Sequence, residues 1–281
     1  MSAHARPPKL PFADLDLAQR LERAEAIANR RSIEARRAVD PDHGADCIEI
    51  GGTTALFDGV GSPLTQSFGL GMTEPLTRHD LDTLETFFFE RGSDALHEVS
   101  PLADPSALAL LGDRGYRPIE QTNVLYRLAG GGLARRGRRR PLAARPVAPD
   151  EEALWIDTMI EGWGEFPEVA SFLRGLGTLF VRQEGCVTFL VEDTDGRPIA
   201  SGALSIADDV ALLAGASTIP PARRRGAQLA LLRARLEHAV ESGCELMMLC
   251  AAPGSASQRN AERQAFRIAY TRTKWQRSRP A

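Results

Sequence analysis

Thr218-Ile219-Pro220-Pro221-Ala222-Arg223-Arg224-Arg225-Gly226-Ala227-Gln228 carries the chain from an apolar, β-branched segment into a helical run rich in Leu, Ala and Arg. A strand end, a turn and a glycine ahead of a helix leave backbone N–H groups without intrahelical acceptors, and the helix dipole adds partial positive charge at the same point. Such a turn is suited to hold a pyrophosphate without a P-loop lysine. An arginine cluster also serves as a plain solvated turn, so the flanking segments decide between the two readings.

Those segments are ordered. From Ala227 to Ser242 the apolar residues Leu229, Leu232, Leu236, Ala239 and Val240 recur at helical spacing, and Gly243 stands where a left-handed cap is expected. Glu245 to Cys250 is a short apolar run bounded by Gly243 and Pro253, which suits a buried strand. Ser255 and Gln258 have capping-box spacing, the helical composition lasts to Gln264, and Phe266 to Trp275 reads as a final strand. Upstream, Pro149 to Trp163 is an apolar-periodic helix with acids in its first turn, and Pro167 opens a second helix through Leu176. Val187 to Glu192 and Pro198 to Ile206 flank Thr194-Asp195-Gly196, a hairpin signal, and Val210 to Ile219 is the strand that delivers the cradle.

The order of these elements, with Arg223-x-x-Gly226-x-Gln228 at its centre, resembles the GCN5-related N-acetyltransferase (GNAT) family over roughly residues 147 to 277. Ser255-x-x-Gln258-Arg259-Asn260-x-x-Arg263-x-Ala265-Phe266 looks like a variant of the motif that follows in the family and usually ends in Gly-Phe. Gln228 stands for the commoner glycine or alanine, and Ala265 for the glycine. The short helix also lacks the tyrosine that often serves the family as general acid.

The first half of the chain matches the second in its landmarks. Gly92 and Gly243, Pro101 and Pro253, and Tyr116 and Phe266 are separated by 151, 152 and 150 residues. Helices over Thr77 to Arg91 and Ser106 to Leu111, and strands over Leu96 to Val99 and Gly115 to Arg127, complete the correspondence. The reading is a tandem duplication of an α/β, mixed-sheet acyl-CoA N-acyltransferase fold. The domains are 1–129, a degenerate N-terminal copy; 130–144, a Gly/Arg-rich linker; and 145–281, the acetyl-CoA-binding copy. Degeneracy is read from Gly71-Met72-Thr73-Glu74-Pro75-Leu76 at the cradle position, where proline removes a donor and glutamate opposes an anion. Asp14 to Val39 reads as an amphipathic packing helix.

Composition sets outer bounds. A 281-residue chain with 43% hydrophobic and 25% charged residues suits two globular domains, and its net charge of −3 does not call for nucleic acid or an acidic membrane surface. The arginines of the linker lack the interleaved aromatics that stack bases, so a solvated tether is the expectation there. Cys47, Cys186, Cys244 and Cys250 show no C-x-x-C spacing, which argues against zinc or a disulfide framework and suits a reducing cytoplasm. The first residues show no signal pattern, no apolar run approaches a membrane span, and Met1 to Lys9 is expected to fray.

The resemblance implies the chemistry: transfer of an acetyl group from acetyl-CoA, as co-substrate, directly to an amine of a small molecule or protein. It implies that backbone groups of Ser217, Thr218 and Ile219 meet the pantetheine and thioester, and that amides from Arg225 through Gly226, Ala227 and Gln228 to Leu229 hold the pyrophosphate. Arg223, Arg224 and Asn260 are candidate side-chain contacts. Candidates for proton transfer are Tyr270, Glu161 and Glu165, with Trp163 and Phe166 as candidate acceptor-cleft walls; His238 and Cys250 are expected to be structural. The alternative is a non-catalytic acyl-CoA-binding regulator that retains the cradle without an acid and base, and a scaffold that binds a partner is a third reading.

Overall fold

The computed structural model describes residues 10–130, 142–164 and 170–280. Residues 131–141 of the expected linker 130–144, the expected fraying segment 1–9, and Glu165, Phe166 and Pro167 lie outside them. Contacts divide the chain into two units: residues 13–124 with 251–253 and 268–280, and residues 10–12 with 125–250 and 254–267.

In the first unit Asp14 caps α1 (Leu15–Val39) by accepting from the Leu17 N–H at 3.1 Å, and Leu17, Leu21, Ala24 and Ile33 turn into the core. The periodicity of Asp14 to Val39 predicts this helix. Strands β1 (Asp46–Ile50), β2 (Thr53–Phe57) and β3 (Gln66–Phe68) follow, none of them singled out by patterning. Then come α2 (Arg78–Phe89), β4 (Ala95–Val99), α3 (Pro105–Asp113) and β5 (Arg117–Leu128), within a few residues of the expected bounds. Leu81, Leu84 and Phe88 of α2 pack on Ala55, Leu70 and Leu111, which forms the centre of this unit's core.

The second unit holds β6 (Ala144–Pro146), α4 (Glu152–Gly162), α5 (Ala170–Arg182), β7 (Cys186–Glu192), β8 (Pro198–Ala207), β9 (Val210–Thr218), α6 (Ala227–Glu241), β10 (Leu246–Ala251) and α7 (Ala256–Glu262). Its strands run in the order β10-β9-β8-β7-β6, with β10 parallel to β9 and the other pairs antiparallel. The hairpin between β7 and β8 turns at Gly196, φ 78°, and the Asp193 carboxylate accepts from the amides of Asp195 and Arg197. Trp155 is fully buried, and its indole N–H reaches Phe189 O at 3.1 Å. α6 buries Leu231, Leu232, Leu236 and Ala239, whereas Leu229 and Val240, which the periodicity also places on the apolar face, are exposed.

Strand pairing does not follow the two copies as they stand in sequence. β11 (Arg267–Arg277), the last strand of the chain, pairs antiparallel with β4, from Thr273 opposite Val99 to Arg277 opposite Ala95. The first unit therefore reads β1-β2-β3-β4-β11-β5. In return the end of β5 joins the second unit, where Ala129 N–H donates to Glu245 O at 2.9 Å and Arg127 donates to Gln264 O at 2.6 Å. The contacts thus divide the chain differently from the expected ranges 1–129 and 145–281: most of β11 falls in the first unit and the end of β5 in the second.

Two buried polar clusters hold the first unit. The Arg272 guanidinium of β11 makes a bidentate pair with Glu25 at 2.7 and 2.8 Å, lies 2.9 Å from Glu98 on β4 and 3.5 Å from Glu22 on α1, and is 3% exposed. The Tyr270 hydroxyl donates to Glu22 Oε1 at 2.8 Å, and Lys274 lies 3.3 Å from Glu98. In the other cluster Ser67 Oγ, His97 and Tyr116 form a hydrogen-bonded chain at 2.6 and 3.0 Å. Its sequence of groups suggests a nucleophile and base. However, Ser67 and His97 have no exposed surface, and burial pulls His97 down to about 3, so its ring is neutral and its role is packing.

The equivalence of the copies extends to backbone conformation. Gly92 and Gly243 have φ of 75° and 79°, and Gly115 and Ala265, which are 150 residues apart, have φ of 74° and 64°. Ala265 thus holds a left-handed conformation that its counterpart fills with glycine, and its side chain is exposed. Ala265→Gly is expected to stabilise the fold by about 1 kcal/mol, since relief of Cβ strain outweighs the entropy of an added glycine. A lower urea midpoint for the variant than for the wild type would contradict it.

Candidate functional site

α6 begins at Gly226, whose φ is 98° and which is not capped by any side chain. The first bond into the helix runs from Ala230 N–H to Gly226 O at 3.1 Å, so the amides of Ala227, Gln228 and Leu229 face out of the helix end. Arg224, two residues earlier, is also left-handed at φ 62°. Successive N–H groups in such a turn converge on one point and favour an anion. An added Cβ at Gly226 meets nothing within 4 Å, so its glycine is required by backbone conformation rather than by crowding.

The cradle opens on a cavity of about 660 Å³. Gly162 and Trp163 at the end of α4 form one wall, Ala216 to Thr218 of β9 a second, and Asn260, Arg263 and Gln264 at α7 a third. Gly162 is needed for the first two to meet, because a Cβ there would lie 2.2 Å from Ser217 Oγ. β9 pairs with β10 only from Val210 to Leu212, opposite Leu246 to Met248, whereas its pairing with β8 continues to Thr218 opposite Ala200. Beyond Leu212 the edge of β9 that faced β10 is open. A slot between diverging parallel strands, ending at a helix N-terminus, accepts an extended amide-bearing chain with an anionic end.

A bulge fixes this edge. Ser201 faces Ser217 and Ala203 faces Ala214, so Gly202 stands opposite both Gly215 and Ala216, with Gly215 at φ 59°. Beneath it Arg235 of α6, 4% exposed, donates to Ala203 O and Ala214 O, both at 3.1 Å, and to Leu231 O at 3.2 Å. Burial lowers its pKa to about 10, which still leaves it charged at neutral pH. An arginine on the apolar face of a helical repeat is the sequence signal for this contact, and reading only the apolar positions of that repeat misses it. Arg263, which the sequence places only within the motif around α7, also lines the cavity.

Of the residues expected at the cradle, Ser217, Thr218, Arg223, Arg224, Gly226, Ala227, Gln228, Leu229 and Asn260 all line the cavity. Leu229 is exposed for that reason. Ser217 Oγ is bonded to Ser201 Oγ at 2.9 Å, and Thr218 Oγ1 accepts from Gln228 at 2.8 Å, so both hydroxyls brace the strand end. The Arg223 guanidinium turns back to Thr218 O and Gly162 O at 3.3 and 3.2 Å, which ties β9 to α4. Ile219 N–H donates to Ile199 O at 3.0 Å, so that amide is already used on the β8 side. Ile219 and Arg225 do not line the cavity.

The proton-transfer candidates are not gathered there. Tyr270 belongs to the first unit, is 7% exposed and donates to Glu22. Pairing of β11 with β4 takes it into that unit. Glu161 is exposed and accepts from Arg197 at 3.1 Å, and it does not line the cavity; Glu165 lies outside the described residues. Among the described residues that line the cavity, the only titratable side chains are arginines. His238 packs edge-on against Phe189 at 5.7 Å, and Cys250 is half-buried, consistent with structural roles. None of the four cysteines forms a disulfide, no cluster of metal-binding side chains occurs among the described residues, and no helix among them is long and apolar enough to cross a membrane.

Comparison with known proteins agrees with this geometry. Residues 152–266, which supply every residue that lines the cavity, match the family described as Acetyltransferase (GNAT) family. No curated protein matches the chain. Among solved structures, a GCN5-related N-acetyltransferase from Kribbella flavida is 20% identical, with 94% of this chain and 96% of that one covered at a TM-score of 0.68. One from Sphaerobacter thermophilus is 16% identical over 97% and 96%, with a TM-score of 0.60. A tandem GNAT protein from the clavulanic acid biosynthesis pathway is 14% identical over 97% and 98%, with a TM-score of 0.59. At these identities the likeness is one of fold. The chain therefore carries a GNAT-family acetyltransferase domain over residues 152–266, in a full-length fold shared with tandem GNAT proteins.

Proposed function

We propose that the protein is an acetyl-CoA-dependent N-acetyltransferase acting on an amine of a small molecule or protein, with acetyl-CoA held in the cradle of the C-terminal copy. The observation that carries this reading is the coincidence, inside the family segment, of an uncapped helix N-terminus at Gly226 with the open edge of β9. The amides of Ala227, Gln228 and Leu229 would hold the pyrophosphate, with Arg224 and Arg263 supplying positive charge. The backbone of Ala216 to Thr218 would position the pantetheine and polarise the thioester carbonyl. The amine lone pair attacks the carbonyl carbon, the C–S bond breaks, the nitrogen gives up one proton to solvent, and the thiolate takes one from it.

The N-terminal copy is proposed not to bind acetyl-CoA, and the start of α2 supports this. Thr77 and Asp80 form a complete capping box there: Asp80 N–H donates to Thr77 Oγ1 and Thr77 N–H to Asp80 Oδ2, both at 3.1 Å. Of the three amides proposed as the cradle on α6, the one equivalent to Leu229 is satisfied on α2 by Thr77, and Asp80 places an anionic side chain at that helix end. Asn260 is kept as a proposed pantetheine contact, and a cytoplasmic location remains an expectation from the cysteines.

Calorimetry with acetyl-CoA should give one site per chain. The full chain is needed, because the exchange of β5 and β11 leaves each half without its partner strand. A panel of amines scored by release of free thiol then tests turnover. Tyr270→Phe is expected to turn over within about twofold of wild type, since a general acid would cost at least about 10²-fold. Tight binding without amine-dependent thiol release would instead favour an acyl-CoA-binding regulator.

A further inference from the structure

A second cavity, of about 620 Å³, lies wholly within the first unit, between one face of α1 and the ends of β2 and β3. Asp16, Gln19, Arg20, Arg23, Ile27 and Arg30 recur along it at helical spacing, and Phe68 and Met72 face them. Two of its polar atoms stand out. Glu22, 2% exposed, lines the cavity with Oε1 accepting from Tyr270 and Oε2 without a hydrogen bond. Arg30, partly exposed, lines it with Nε likewise without a hydrogen bond, though its guanidinium makes loose ion pairs with Glu34 and the cavity-lining Glu49 at 3.8 and 3.9 Å. A buried carboxylate oxygen and a guanidinium N–H left unmade each cost free energy that a ligand of opposite charge would recover.

The charge around Glu22 favours a cation. Glu25 of α1 and Glu98 of β4 join it around Arg272 of β11, with Lys274 on Glu98 and the Tyr270 hydroxyl donating to it. Glu22, Glu25 and Glu98 thus share Arg272 and Lys274, and Lys274 is shared in turn with Glu120 at 3.2 Å; Arg20 and Arg23 line the cavity beside them. Glu22 and Arg30 are eight residues apart on one helix, roughly 12 Å along its axis at about 1.5 Å per residue. Between them Ala26, Ile27 and Phe68 give an apolar strip of wall, flanked by Arg23. An α-amino acid, whose charges are adjacent, is too short to meet both ends.

We propose that this cavity binds a small elongated zwitterion, its ammonium group on Glu22, its carboxylate on Arg30, and a methylene chain along Ile27 and Phe68. The site does not depend on the cradle of the C-terminal copy. Because burial raises the Glu22 carboxyl to about 7, the ammonium end should bind more tightly as pH rises through that value.

The probe is 6-aminohexanoate, followed by saturation-transfer NMR on the full chain, with glycine, hexanoate and hexylamine as comparisons. Binding of 6-aminohexanoate tighter than all three is expected, rising with pH between 6 and 8. Glu22→Gln keeps an acceptor for Tyr270 and should weaken binding about tenfold or more and flatten the pH dependence; Arg30→Gln should weaken it similarly at unchanged pH dependence. Gly226→Asp, which disables the cradle, should leave the affinity unchanged. No binding at about 10 mM, equal affinity in both charge variants once their fold is checked by circular dichroism, or hexylamine binding as well as 6-aminohexanoate would overturn the proposal.

Discussion

Arg272→Met is expected to destabilise the protein by about 3–5 kcal/mol, the usual cost of removing one member of a buried ion cluster, and to lower its melting temperature by on the order of 10 °C. The guanidinium faces Glu22, Glu25 and Glu98 at once, and methionine leaves these carboxylates with Lys274 alone. The deficit should depend on pH with a definite sign. Glu22 titrates at about 7 in the fold against an ordinary 4.5, chiefly through burial, with Arg272 opposing the rise. A raised carboxyl favours the protonated folded state, so this group's contribution is complete below about 4.5 and lost as pH rises through about 7. Without Arg272 the charged form has less support, and the loss measured by urea unfolding at pH 8 should shrink at pH 5. A loss under 1 kcal/mol, or one that grows on acidification, would show that the cluster does not hold α1 to β11.

Gly226→Asp should reduce acetyl-CoA affinity by about a hundredfold or more. A carboxylate at the helix N-terminus opposes an anion whose favourable interaction there amounts to up to about 2 kcal/mol, and its side chain occupies the approach to the amides. Strain is a separate effect, because φ of 98° disfavours any Cβ. Gly226→Ala shares that strain without the charge, so calorimetry on the two variants separates the contributions. If both keep wild-type affinity while circular dichroism shows them folded, the cradle is not the acetyl-CoA site.

Much of the second copy was legible because each of its elements carries a local signal. Asp195-Gly196 marks the hairpin, Gly243 the end of α6 and Ser255-x-x-Gln258 the start of α7, and in the structure Ser255 Oγ accepts from Gln258 N–H at 3.2 Å. One detail differs: Gln258 Oε1 reaches the Gly254 amide, one residue short of the reciprocal capping-box bond. The strands β1 to β3 escaped notice because β3 is only three residues long and β1 is half-buried, so neither shows a sustained alternation. Thr77-x-x-Asp80 was a readable capping signal that the comparison of turns passed over.

The sequence alone determined the order of elements in the second unit and the uncapped helix start that follows the Arg223 to Gly226 turn, because helix caps, turns and glycine conformations are settled by neighbouring residues. Tertiary structure decided which strands pair and which side chains meet. β5 and β11 are equivalent strands that each follow a left-handed residue, and nothing local in either selects its neighbour. Only the packed sheet sets β11 beside β4, and with it Tyr270 beside Glu22 and Arg272 among three carboxylates that lie about 170 to 250 residues away in the chain. Long-range pairing of this kind depends on the free energy of the assembled sheet, which no window of sequence contains.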